Sequence, residues 1–72
     1  MDLIEVTETQ KMSREAAADR LRALADALAR HNNVEFSRGG MRFVVKVPDE
    51  VELEVEVEIT DEGGEVEVEI RW

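Results

Sequence analysis

From residue 51 onward the chain alternates apolar and charged residues with a period of two. The pattern reads VELEVEVEIT over residues 51–60 and EVEVEIRW over residues 65–72. Successive side chains of a strand point to opposite faces of a sheet, so this period predicts two strands with one apolar and one acidic face. Asp61-Glu62-Gly63-Gly64 separates them with residues that favour turns, which predicts a hairpin.

The same period extends back to Val34 and predicts two further strands, over residues 34–38 and 41–47. Gly39-Gly40 separates these two strands, and Pro48-Asp49-Glu50 separates the second from the strand over residues 51–60. Each separator has turn chemistry, so consecutive hairpins are the simplest connection between the four strands.

Turn length predicts which residues pair across each hairpin. We expect a two-residue turn at Gly39-Gly40, a three-residue turn after Val47 and a four-residue loop over residues 61–64. The predicted apolar pairs are Phe36–Phe43, Val34–Val45, Val47–Val51, Val45–Leu53, Phe43–Val55, Ile59–Val66, Val57–Val68, Val55–Ile70 and Leu53–Trp72. All three turns keep the apolar side chains on one face, and this agreement supports the assignment.

The same registers predict the charge pairs of the opposite face. These pairs are Lys46–Glu52, Arg42–Glu56, Glu56–Glu69, Glu58–Glu67 and Glu54–Arg71. Opposite charges across strands are favourable and like charges are not, so the last two strands should repel each other except at Arg71. Dissolved salt should reduce this repulsion, because the Debye length falls to about 3 Å at 1 M.

Residues 13–31 have the pattern of an amphipathic helix. Ser13 is a favourable N-cap, and Glu15 lies in the first turn, where the helix dipole favours an acid. Asn32 or Asn33 can adopt the left-handed conformation that ends many helices. The expected apolar stripe consists of Ala17, Leu21, Leu24, Ala25 and Leu28.

Residues 2–9 alternate more loosely and predict a first strand. The element order is then β-α-β-β-β-β, an α+β fold in which one helix packs on one face of a largely antiparallel sheet of about five strands. At 72 residues the chain has room for one domain, spanning residues 1–72.

The chain is strongly acidic, with 18 Asp and Glu against nine Lys and Arg and a formal net charge of −9. Such a field repels nucleic acids and anionic lipid, so neither is an expected partner. Lys11 and Lys46 are the only lysines, and the preference for hydrated carboxylates predicts adaptation to concentrated salt. The chain has no cysteine and no signal-peptide pattern at its N-terminus, so we expect a cytoplasmic location.

The sequence offers no catalytic or metal-ligating constellation. His31 is the single histidine and cysteine is absent, which excludes sites built on several histidines or on Cys–His pairs. His31 is best interpreted as a residue that favours a helix C-terminus. We therefore predict that the chain is not an enzyme and uses no cofactor or bound metal.

Several segments resemble the amphi-Trp domain family, which is named for an amphipathic strand and a terminal tryptophan. They are Ser13–Ala17, Leu21–Leu28, Val47-Pro48 and Glu69-Ile70-Arg71-Trp72. The resemblance implies a small stand-alone domain of halophiles, and it carries over no catalytic residue.

The hypothesis that follows is a non-enzymatic, acidic interaction domain that binds another protein or itself in high salt. A domain that binds a small ligand or a divalent cation is the alternative, and a mimic of the nucleic-acid backbone is a more distant one. Trp72 is expected either to pack against the core or to anchor a partner. The candidate interaction face consists of Glu52, Glu54, Glu56, Glu58, Glu67, Glu69 and Trp72.

Overall fold

The computed structural model describes residues 7–72 and has an α+β fold. Its elements in chain order are α1 (Arg14–Arg30), β1 (Asn33–Arg38), β2 (Met41–Lys46), β3 (Glu52–Thr60) and β4 (Gly63–Arg71). Most of the predicted first strand, residues 2–6, lies outside the described residues. Residues 7–9 have no regular secondary structure. The α+β class and the four later strands are confirmed.

α1 begins as predicted, because the Ser13 hydroxyl accepts a hydrogen bond from the Ala16 N–H at 3.1 Å. Its end differs from the prediction. His31 caps the helix in an extended conformation and its N–H donates to the Ala27 carbonyl. Among the described residues only glycines have positive φ, so a left-handed ending at Asn32 or Asn33 is wrong. The chain enters β1 at once, and a strand requires extended backbone there.

β1 and β2 form the predicted hairpin. Gly39 and Gly40 have φ of 57° and 79°, as required at both central residues of a type I′ turn. The pairs Phe36–Phe43 and Val34–Val45 are confirmed. A residue with a Cβ would be strained at either turn position, and this explains the Gly-Gly sequence.

β3 and β4 also form an antiparallel hairpin, but its register is shifted by two residues from the prediction. Val57 pairs with Val66, and Thr60 pairs with Gly63, so the turn contains only Asp61-Glu62. The Thr60 hydroxyl donates to the Gly63 carbonyl and accepts from the Glu62 N–H, both at 3.3 Å. These two bonds hold the shorter turn and bring both glycines into the strand. A shift of two residues leaves every side chain on its predicted face.

The predicted pairing between the strands over residues 41–47 and 51–60 is wrong. The described residues form two separate two-stranded sheets, β1–β2 and β3–β4, instead of one continuous sheet. The pairs expected between these two strands, including Val45–Leu53 and Lys46–Glu52, are therefore not formed. Arg42, expected opposite Glu56, instead reaches Glu35, with 3.0 Å between its Nε and the carboxylate.

Residues 47–48 explain this separation. The Val47 N–H donates to the Asn32 carbonyl, so Val47 stays hydrogen-bonded to the β1–β2 hairpin although β2 has ended. Pro48 has no N–H to donate and restricts the residue before it, which opposes a tight hairpin into β3. The chain therefore leaves the first sheet before it starts the second.

The core of the described residues is small and lies where α1 covers β1. Val34 and Val47, only 3% and 7% exposed, are the buried hydrophobic residues there. α1 packs mainly on β1, and the single five-stranded sheet predicted beneath it is not formed by the described residues. Much of the apolar face of the β3–β4 hairpin remains exposed to solvent as a result.

Candidate interaction faces of the β3–β4 hairpin

The β3–β4 hairpin has two chemically opposite faces. We call the charged side the acidic face; it consists of Glu52, Glu54, Glu56, Glu58, Glu65, Glu67, Glu69 and Arg71. We call the other side the apolar face; it consists of Leu53, Val55, Val57, Ile59, Val66, Val68, Ile70 and Trp72. Alternation along two paired strands is sufficient to produce this division, since side chains i and i+2 share a face.

The acidic face places glutamates directly opposite one another. Three cross-strand pairs contain two glutamates: Glu54–Glu69, Glu56–Glu67 and Glu58–Glu65. The predicted face lacked Glu65, because a four-residue loop would have placed it opposite Thr60, whereas in the structure it lies opposite Glu58. The Gly63-Gly64 sequence was the available signal, since glycines can enter a strand as well as a turn.

Arg71 reduces the repulsion between glutamates at one end of the acidic face. It lies opposite Glu52 and not, as predicted, opposite Glu54. Its Nε is 3.4 Å from Glu52, its Nη1 is 3.0 Å from Glu54, and Nη1 also bonds Glu69. Hydrogen bonds to Glu69 and then Glu54 raise the pKa of Arg71 above its ordinary value. One guanidinium therefore bridges three carboxylates.

Glu67, at the centre of the acidic face, is surrounded by repulsive charges and not by attractive ones. Its pKa is raised from the ordinary value of 4.5, chiefly by a side-chain hydrogen bond with Glu65 and by the charge of Glu65. The charge of Glu56 raises it further. Like charges disfavour the ionised form of a carboxyl group, so this part of the face carries the electrostatic cost of the hairpin.

The acidic face is a solvated surface. Every residue of β3 is exposed, and so is every acidic residue of β4. Within residues 7–72 no group of three or more His, Cys, Asp or Glu side chains is placed to hold a metal ion. In that same range no helix is both long and apolar enough to cross a bilayer.

The apolar face is also largely exposed, which is unusual for such side chains. Seven of its residues are more than half exposed: Leu53, Val55, Val57, Ile59, Val66, Val68 and Trp72. Exposure reaches 81% at Ile59, next to the turn. Contiguous exposed apolar surface of this kind marks interaction sites in native proteins.

Trp72 lies just after β4, where the apolar face meets α1. Ile70, and not Trp72 as predicted, pairs with Leu53. Trp72 instead borders a cavity of about 240 Å³ that Leu21 and Leu24 of α1 also line. The ten described residues that line this cavity are all hydrophobic. The indole is 62% exposed, so it contributes to both the cavity and the exposed apolar face.

The described residues thus define a small α+β domain whose second hairpin is amphipathic and is followed by a tryptophan. The family model of the Amphi-Trp domain matches residues 2–72. The chain belongs to the Amphi-Trp domain family, which confirms the resemblance based on its helix and its final strand. Comparisons with curated proteins and with solved structures gave no match.

Proposed function

We propose that the chain is a non-enzymatic protein-interaction domain that works in concentrated salt and binds through the apolar face of the β3–β4 hairpin. The observation that carries this proposal is the exposure of seven apolar side chains on one face. At ~100 Å² each they amount to roughly 700 Å², whereas the largest apolar patch of a typical monomer is about 300–600 Å². Leaving such a face in water is unfavourable, so a contact surface accounts for it best.

The acidic face supports the high-salt part of the proposal. Paired residues of neighbouring strands lie about 4.5–5.5 Å apart, while the Debye length is about 10 Å at 0.1 M salt and 3 Å at 1 M. Repulsion between facing glutamates is therefore felt in dilute buffer and screened in concentrated salt. A cytoplasmic location in a salt-rich cell is part of this proposal.

The proposal assigns different roles to the two faces. The apolar face makes the contact, and the acidic face stays hydrated and keeps the molecule soluble. Binding through Glu52, Glu54, Glu56, Glu58, Glu67 and Glu69 themselves stays a prediction from the sequence. A small-ligand domain is less well supported, because among the described residues the indole N–H of Trp72 is the one polar side-chain group beside the cavity, and the cavity is smaller than most ligand sites.

The experiment that tests the proposal measures complex size in a high-salt extract of the source cells. Tagged full-length chain should elute in a complex larger than the monomer. A double variant, Val57→Thr with Val66→Thr, should elute closer to the monomer, because it places hydroxyl groups on the apolar face while keeping β-branched side chains.

Val44→Thr is the matched control. Val44 is 57% exposed on β2, close to the 62% of Val57, but it lies outside the β3–β4 hairpin. Its substitution should leave the complex unchanged. Equal elution of the wild type and the double variant would refute a contact through the apolar face.

A further inference from the structure

We infer that the occupant of the apolar face is a second copy of this chain, in a two-fold dimer that packs one β3–β4 hairpin against the other. This inference rests on the proposed function and names its partner. Four properties of the face support it: area, chemical uniformity, charge and position relative to α1.

The exposed area matches what a stable dimer requires. The seven exposed side chains provide roughly 700 Å² per chain, and a standard interface buries about 800 Å² per partner. A segment of a few residues could cover only part of this face. A second hairpin of the same length and width can cover all of it.

The face is also complementary to itself. It carries only Leu, Val, Ile and Trp side chains, so every position accepts an apolar neighbour and no charge has to be buried. The indole N–H of Trp72 is its one hydrogen-bonding side-chain group, and it lies at the end of the face, where the 62% exposed side chain can still bond to water. A two-fold axis places the same patch on both sides of a contact. Two such ribbons can pack about 10 Å apart as an aligned sandwich, with their strands crossing at roughly −30°.

Charge argues against a basic protein as the occupant of the apolar face and permits a second copy of this chain. A basic protein would be attracted to the acidic face and not to the apolar face, because the apolar face contributes no charged side chain to the net charge of −9. In the dimer the two acidic faces point outward on opposite sides, at least ~10 Å apart. That separation exceeds the Debye length of about 3 Å at 1 M salt.

The position of α1 locates the centre of the dimer. Along β4, exposure falls from 68% at Val66 to 53% at Val68, and Ile70 is half-buried beside the cavity under α1. The end of the hairpin near the turn is therefore the freest part of the face. We place the two-fold axis near the cross-strand pair Val57–Val66.

The test is the mass of the purified full-length chain by sedimentation equilibrium in molar KCl. The wild type should reach the mass of a dimer at micromolar concentration. Val57→Thr with Val66→Thr should raise the dissociation constant at least about tenfold, because four methyl groups per dimer are replaced by hydroxyl groups. The Val44→Thr control should leave the dissociation constant unchanged.

A second measurement keeps the test independent of folding defects. In a mixture of isotope-labelled and unlabelled wild-type chains, intermolecular NOEs should connect the methyl groups of Val57 and Val66 and should exclude Val44. A wild type that stays monomeric in molar KCl would overturn the inference. So would a dimer whose NOEs involve Val44 or another surface.

Failure of this inference is distinguishable from failure of the proposed function. If the purified chain is a monomer, yet in the extract it enters a complex that the double variant loses, the partner is a different protein and the proposed function stands. If neither the purified chain nor the chain in the extract shows an assembly that depends on Val57 and Val66, both are wrong.

Discussion

Within residues 7–72, the nearest ionisable neighbours of Glu67 all carry the same charge as Glu67. Glu56 faces it across the hairpin, Glu65 and Glu69 flank it on the same strand, and its pKa is raised as a result. Arg71, two residues beyond Glu69, directs its guanidinium to Glu52, Glu54 and Glu69. Glu67 is therefore the residue at which the electrostatic cost of the acidic face can be measured.

Glu67→Lys should raise the thermal midpoint of unfolding in low salt and change it little in molar salt. The substitution replaces repulsion with attraction towards Glu56, and salt screens both. The measurement is thermal unfolding by circular dichroism across a series of KCl concentrations.

Asp26→Lys is the control for total charge. It makes the same change in net charge, but in the middle of α1, four residues from both Arg22 and Arg30. It should produce no gain in low salt, because like charges at that spacing are unfavourable. A gain of equal size in both variants would show that total charge, and not the Glu67 neighbourhood, limits stability.

Stability in low salt should also depend on pH through Glu67. Because its pKa in the folded chain is raised, the native state binds this proton more tightly than the unfolded chain does. The stabilisation is present below pH 4.5 and is lost as the pH rises through the raised pKa. Glu67→Gln should therefore be more stable than the wild type at neutral pH and should lose that advantage below pH 4.5.

Denaturant unfolding of both proteins at several pH values measures this difference. Every other ionisable group is the same in both proteins, so the comparison isolates the contribution of position 67. A stability difference that stays constant with pH would contradict the electrostatic account of Glu67.

At the scale of elements, the two hairpin turns reverse the direction of the chain in different ways. The β1–β2 turn uses positive φ at Gly39 and Gly40. The β3–β4 turn uses Asp61-Glu62 and the hydroxyl of Thr60, with its glycines inside the strand. Glycine is thus needed for backbone conformation in the first turn, whereas Gly64 has ordinary extended backbone.

Gly40→Ala should destabilise the fold by about 1–2 kcal/mol, the usual cost of a Cβ in the left-handed region. Gly64→Ala is the matched control. A Cβ there would meet the Glu58 carbonyl oxygen at 3.6 Å, an ordinary contact, so the change should be neutral or stabilising. Denaturant unfolding measures both, and equal losses would contradict the type I′ assignment.

At the scale of the whole molecule, Trp72 joins the two hairpins through α1. It follows β4 and shares the apolar cavity with Leu21 and Leu28 of the helix and with Val47 after β2. Trp72→Ala should lower the thermal midpoint of unfolding in both low and molar salt, because the lost contact is apolar and not electrostatic. An unchanged midpoint together with a weakened dimer would assign Trp72 to the interface alone.

The local features of this fold could be predicted from the sequence because each depends on neighbours along the chain. Ser13 caps α1, Gly39-Gly40 forms the turn with the predicted register, and alternation assigns glutamates and apolar residues of β3 and β4 to opposite faces. The facial assignment remained correct even though the register moved by two, since the period of a strand is two. The six glutamates of the candidate interaction face were thus correctly assigned to one side of the hairpin, whereas Glu65 was missed and Trp72 lies with the apolar face.

The contacts between elements required the tertiary structure. Nothing in the pattern of Val45, Val47 or Leu53 distinguishes an apolar side chain that pairs with the next strand from one that packs under a helix. Val47 stays hydrogen-bonded to the first hairpin and is followed by Pro48, and these two features separate the two sheets. That separation left the apolar face of β3–β4 exposed, because α1 packs mainly on β1 and, within the described part of the chain, approaches the second hairpin only near Ile70 and Trp72.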